Sequence, residues 1–164
     1  MIPARLFPVE DVSTADDWYT PPWVFDALGL TFDLDVAAPT GGVPWIPARR
    51  CFDENADGLA RPWEGTVWCN PPYSDPAPWC HRWVEHGNGF IILRADLSTS
   101  GPYAAFEAAD CLFVPRKRMQ FVNGHGERNG AVNFSTLILS IGPRADVLER
   151  LALHGAVRQL GGVS

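Results

Sequence analysis

Residues Asn70-Pro71-Pro72-Tyr73, delivered by the apolar run Thr66-Val67-Trp68-Cys69, carry the groups needed to place a methyl group on a planar amino nitrogen. The exocyclic amine of a purine is a poor nucleophile because its lone pair is delocalised into the ring. Acceptors that grip its N–H groups hold it in place and draw the lone pair back onto nitrogen. The Asn70 side-chain oxygen is one such acceptor. The Pro71 carbonyl is a second, because the proline that follows removes a backbone N–H and stiffens the turn, leaving that carbonyl aimed outward. Tyr73 adds a flat face on which a base swung out of a duplex can stack. The plainer account is that two prolines simply end a strand, since proline cannot continue a central ladder. With 15 prolines in 164 residues, the tetrapeptide by itself is moderate evidence. Its place after a buried-type strand, and the residues upstream, favour the chemical account.

Those groups need a scaffold, and the pattern of apolar runs supplies one. A helix is expected over Trp23 to Leu28, with Thr20 as its cap, Pro21 and Pro22 at its start, and Gly29 as its stop. Strands are expected at Phe32 to Val36, near Arg50 to Phe52, at Thr66 to Cys69, at the fully apolar Phe90 to Leu93 and at Cys111 to Val114. Between them lie helices at Asp75 to His86, capped by Asp75 with Pro76 in its first turn, and at Tyr103 to Ala109. Two further strands, Arg118 to Val122 and Asn133 to Ile141, flank the Gly/Asn-rich connection Asn123 to Gly130, and a helix over Arg144 to His154 closes the chain. Short strands alternating with helices imply an α/β fold, its sheet mostly parallel with a late antiparallel hairpin. Ligands of such sheets sit at the carboxyl ends of the strands, where both Asp35 and Asn70 fall.

Composition narrows the partners. With 46% hydrophobic and 12% aromatic residues, and no repeat or linker, the chain reads as a single globular domain over residues 1–164 with an N-terminal arm over 1–16. No apolar stretch is long enough for a membrane span and Met1 to Arg5 has no signal-peptide core, so a cytoplasmic, non-membrane protein is expected. Cys51, Cys69, Cys80 and Cys111 stand singly and read as reduced, mostly buried thiols. A zinc site at Cys80, His81 and His86 lacks a matching fourth ligand, so no metal is expected. Net charge is −6, which excludes a protein that grips nucleic acid by bulk electrostatics. Any such contact must be local, at Arg116-Lys117-Arg118 joined by Arg128, with Arg49 and Arg50 as the other basic pair.

Between about Asp16 and Leu139 the chain resembles the phage-type (Dam-like) DNA N6-adenine methyltransferases of phages and prophages. The resemblance rests on Asp17-Trp18-Tyr19-Thr20-Pro21, Phe32-Asp33-Leu34-Asp35-Val36-Ala37-Ala38, Asp57-Gly58-Leu59 with Trp63, and Val67 through Tyr73, in that order. It implies methyl transfer from S-adenosylmethionine to N6 of adenine in double-stranded DNA, on a Rossmann-like sheet. Carried across, Asn70 and the Pro71 carbonyl, in the turn completed by Pro72, hold the target amine, and Tyr73 stacks on the extruded base. Thr20 and Pro21 lie against the methionine end of the cofactor, Asp35 near its amino group, Ala37 in the loop that follows and Asp57 at the amine of its adenine. Phe121 packs on the other face of the target base. Beside it the dense basic group Arg116, Lys117, Arg118 and Arg128 is expected, on charge alone, to form a phosphate-binding rim. The usual glycine-rich cofactor loop is replaced by Ala37-Ala38-Pro39-Thr40-Gly41-Gly42, and Ala37 stands where the family often has Cys. Asp53 and Glu54 both remain open as the ribose ligand, and Arg94 to Leu97 has no assigned role. Two rival functions remain. The same turn serves a protein glutamine amide or an RNA adenine, and the reduced loop suits a non-catalytic binding relative.

Overall fold

Three short apolar segments set the architecture. Phe32, Trp68 and Phe90 are fully buried, and their rings interlock across neighbouring strands, with centroids 5.6 Å apart for Phe32–Trp68 and 5.5 Å for Phe32–Phe90. Each large side chain removed from water contributes roughly 1.5–3 kcal/mol, so this row fixes the register of the strands that carry it. The computed structural model describes residues 18–123 and 134–161. Its strands are β1 (Phe32–Asp35), β2 (Ala48–Cys51), β3 (Val67–Cys69), β4 (Gly89–Arg94), β5 (Cys111–Pro115), β6 (Thr136–Ile141) and β7 (Gly155–Gln159). The helices are α1 (Pro22–Leu28), α2 (Ala77–His86), α3 (Ser100–Ala108) and a 3-10 segment, η1 (Ala145–Leu151).

The strands form one sheet in the order β2-β1-β3-β4-β6-β5-β7. Pairing is parallel from β2 to β4 and antiparallel from β4 to β7, with Trp68 opposite Phe90 and Ile91 opposite Leu139. Because side chains alternate across a sheet, Trp68, Phe90, Ile92 and Ile138 pack with α1 and η1 on one face. On the other face Val67, Cys69, Ile91 and Leu139 pack with Cys80 and Trp83 of α2 and Ala105 of α3. Gly89 is needed where β4 crosses β3, since a Cβ there would sit 2.4 Å from the Val67 carbonyl oxygen. The carboxyl ends of β1, β2, β3 and β4 share one edge, and β5, paired through the reversed β6, ends on that edge as well.

Several expectations are corrected. The α/β class and the parallel first half of the sheet stand as expected, while antiparallel pairing begins earlier than a late hairpin, at β4. Arg118 to Val122 forms no strand; its backbone is tied by a single antiparallel bridge between Val122 and Tyr19. Most of the connection Asn123 to Gly130 lies outside the described residues. The expected closing helix is the shorter η1, followed by the unforeseen edge strand β7. Thr20 does not cap α1 and Asp75 does not cap α2, because the capping positions are taken by Pro21 and Pro76, with no side-chain bond at either. Gly29 ends α1 as expected, in the left-handed conformation with φ 58°. Of the four thiols, Cys51 is exposed and the other three are buried.

Candidate active site

Strand β3 is buried at every residue, and the chain leaves it at Asn70 directly onto the carboxyl edge. The Asn70 Nδ2 group donates to the Trp18 carbonyl oxygen at 2.8 Å. Facing a carbonyl, only the NH₂ end of an amide can bond, so the side chain is held with Oδ1 on the opposite side. That oxygen is buried and has no hydrogen-bond partner among the described residues. Leaving a buried acceptor unpaired costs about 1–3 kcal/mol, and a site retains such a cost where a ligand supplies the donor. Among the described residues no backbone N–H donates to the Pro71 carbonyl, whereas the Pro72 carbonyl accepts from Asp75 N at 3.3 Å.

Tyr73 stands in an aromatic cluster. Its ring meets Phe121 edge-on at 6.1 Å and Phe134 at 5.3 Å. Its hydroxyl is buried without a partner among the described residues, and burial pushes the phenol far above its ordinary range, against the opposing pull of the Arg94 charge. The structure thus brings Phe121 to Tyr73, but at 1% exposure Phe121 belongs to the core and offers no open face.

Two cavities flank the turn. The first, about 380 Å³, is lined by Asn70 and Pro72 together with Tyr19, Ala37, Asp53 and Glu54. The second, about 630 Å³, is lined by Tyr73 with Leu93, Arg94, Thr99, Phe134 and Ser135. Asn-Pro-Pro-Tyr is therefore a partition with a polar side toward one chamber and an aromatic side toward the other.

The residues expected at the cofactor divide accordingly. Ala37 lines the first cavity. Asp35 lies beneath it at 3% exposure, where desolvation raises its carboxyl to about 7 and the Ala37 N–H, 3.4 Å away, offsets a part. Thr20 is fully buried; its hydroxyl has no partner among the described residues, and its carbonyl accepts from Trp45 Nε1 at 2.8 Å. Pro21 is buried beside it at the head of α1. Asp57 is placed differently from expectation. It is exposed, in a left-handed turn with φ 51°, and the cavity wall is formed instead by its neighbour Gly58. A Cβ at Gly58 would lie 2.2 Å from the Val36 carbonyl oxygen, so the wall is backbone against backbone. Asp53 and Glu54 both reach this chamber, and Asp53 Oδ1 already accepts from Asn55 N and Ala56 N at 3.0 and 3.1 Å.

Arg116, Lys117 and Arg118 are exposed just after β5, on the same sheet edge, around a shallower hollow with Trp23 and His154. They line neither chamber of the turn, and Arg128 lies outside the described residues. The cation that does line the aromatic chamber is Arg94, whose guanidinium carbon lies 4.2 Å from the Phe134 ring centre. Sequence reasoning left it unassigned, although it ends an apolar run as Asp35 and Asn70 do. Phe52, Trp79 and Phe134 were also missed, since an isolated aromatic reads as core.

Among the described residues no helix is long and apolar enough to cross a membrane. A family described as DNA N-6-adenine-methyltransferase (Dam) matches residues 10–147. A DNA N-6-adenine-methyltransferase of Haemophilus phage HP1 (strain HP1c1) is 26% identical over 148 residues, covering 81% of this chain and 82% of the relative. No solved structure matches significantly.

Proposed function

This chain belongs to the DNA N-6-adenine-methyltransferase (Dam) family, and from that membership we propose that it methylates N6 of adenine at a defined site in double-stranded DNA, with S-adenosylmethionine as donor. One observation carries the mechanistic reading. Asn70 lines the first chamber, in the turn whose Tyr73 lines the second; its buried Oδ1 has no partner among the described residues, and its NH₂ end is already engaged. The sheet, with helices on both faces and the candidate site residues at its carboxyl edge, supports assignment to the Rossmann-like methyltransferases, as one domain over residues 1–164.

The first chamber suits the donor. The buried Asp35 carboxyl beneath it, only partly offset by the Ala37 N–H, matches an ammonium, the acidic pair Asp53 and Glu54 matches ribose hydroxyls, and the Thr20 hydroxyl, without a partner among the described residues, adds a polar group near the turn. Bound there, S-adenosylmethionine supplies a methyl group on a positively charged sulfur. Ala37 and Ala38 bring backbone to the site where the family's glycine loop does so. In the second chamber the base lies against Tyr73, which requires the edge-on contacts with Phe121 and Phe134 to open. Asn70 Oδ1 and the Pro71 carbonyl each accept one N–H of the amine, which restores nucleophilic character to its nitrogen. No protein nucleophile is required, and positioning with polarisation supplies the rate. Arg116, Lys117 and Arg118, with Arg128, give the acidic protein a local phosphate contact.

Transfer of labelled methyl into unmodified DNA, followed by digestion and assay for N6-methyladenine, tests the reading. Asn70→Ala is expected to abolish incorporation while calorimetry still records cofactor binding. Equal incorporation by both proteins would overturn it, as would label found only in RNA or protein.

A further inference from the structure

Arg94 is the residue of the carboxyl edge whose position the family reading leaves unexplained. β4 is buried along Gly89 to Leu93 and turns exposed only at Arg94. Its guanidinium rests on Phe134, and among the described residues no carboxylate lies within ion-pair distance of it. The acidic neighbour Asp96 feels the Arg94 charge, which helps to lower its pKa, but its direct bonds go to Ser98, accepting from Ser98 N at 3.1 Å and from the Ser98 hydroxyl. A guanidinium stacked on a ring keeps its N–H edge for another partner, and its planar fork matches phosphate oxygens. It lines the same chamber as Tyr73.

We propose that Arg94 binds a backbone phosphate next to the extruded adenosine, so that the contact holding the strand also anchors the aromatic wall on which the base rests. The proposal rests on the DNA adenine reading above. Swinging a nucleotide out of a duplex draws its flanking phosphates toward the mouth of the receiving chamber, and unstacking costs a few kcal/mol that contacts at that mouth must offset. Arg94 is exposed and lines that chamber, and its contact with Phe134 continues to Tyr73, 5.3 Å from Phe134. The Arg116 cluster stands on a separate hollow and fits strand contacts farther from the target.

The test uses a duplex containing the adenine that the wild-type protein methylates, with 2-aminopurine at that position to report extrusion. Affinity is measured against salt concentration for wild type, Arg94→Gln and Arg94→Lys. Arg94→Gln is expected to reduce the slope of log affinity against log salt by about one and to lower the extrusion signal at saturating protein. Arg94→Lys should restore the slope, since it keeps the charge, but only a part of the signal, since an ammonium lacks the planar fork. Cofactor binding should be equal in all three. An unchanged slope in Arg94→Gln, or the same slope loss in both variants, overturns the assignment. A wild-type protein that neither binds nor methylates DNA overturns the functional reading itself and the Arg94 assignment with it.

Discussion

Replacing Asn70 by Asp separates the two jobs of this side chain, because aspartate keeps an acceptor where Oδ1 stands but cannot donate to the Trp18 carbonyl. The 2.8 Å contact then sets two oxygens against each other. Losing the bond costs about 0.5–1.5 kcal/mol, and leaving the half-buried carbonyl unpaired beside a negative oxygen adds roughly 1–3 kcal/mol. The sum, about 1.5–4.5 kcal/mol, corresponds to a fall in melting temperature of about 3–18 °C for a domain of this size. The sign of the pH dependence follows. A protonated carboxyl can donate to Trp18, so the introduced group has a folded pKa above its unfolded value of about 3.9. Its penalty is absent below the unfolded value, grows as pH rises through the folded one and is complete above it. Melting curves of both proteins at pH 8 and toward pH 4 should therefore show a gap that narrows on acidification. Asp35, present in both, cancels. Equal melting temperatures at pH 8, or a gap independent of pH, would refute the view that Trp18 orients Asn70.

Two further outcomes follow from the first chamber. The Asp35 carboxyl, raised to about 7 by burial, binds a proton in the folded state that the unfolded chain releases near 3.8, so the stability it costs accumulates between those values and is constant above them. Asp35→Asn should therefore raise the melting temperature of the ligand-free protein at pH 8, with little effect near pH 4, and should weaken S-adenosylmethionine binding in calorimetry. Gly58→Ala inserts a Cβ 2.2 Å from the Val36 carbonyl, and overpacking of this kind costs roughly 1–3 kcal/mol. We expect a lower melting temperature with at least about tenfold weaker cofactor binding, of order 1.4 kcal/mol, both read by calorimetric titration and thermal scans.

The site was legible where chemistry follows an apolar run. Val67 to Cys69 and Phe32 to Asp35 are fixed by burial, so the residues at or after their ends had to meet on one edge. Arg94 obeys the same rule and went unread because its role depends on Phe134, forty residues away in sequence. Arg118 to Val122 alternates like a strand, with Met119, Phe121 and Val122 buried, yet its backbone meets only Tyr19 from the start of the chain. Local pattern records which side chains turn inward, not which backbone lies alongside. β7 failed the opposite way: an edge strand with Arg158 and Gln159 exposed has little apolar signal to read. Thr20 and Asp75 were read as caps from residue type, but each is followed within the sequence by a proline that itself takes the capping position.

The placement of β6 between β4 and β5 has a consequence for how the chain is made. Phe90 to Leu93 forms the centre of the sheet, but one of its two hydrogen-bonding edges is completed only by residues 136–141. On a ribosome adding about 5–20 residues per second, that edge waits several seconds for its partner. The nascent chain therefore passes through a stage in which the parallel half is assembled around an open, strongly apolar rim, the kind of edge that pairs with other chains. A premature stop before Thr136 would freeze that stage, and the released fragment should aggregate or recruit holdase chaperones while retaining the whole Asn-Pro-Pro-Tyr turn.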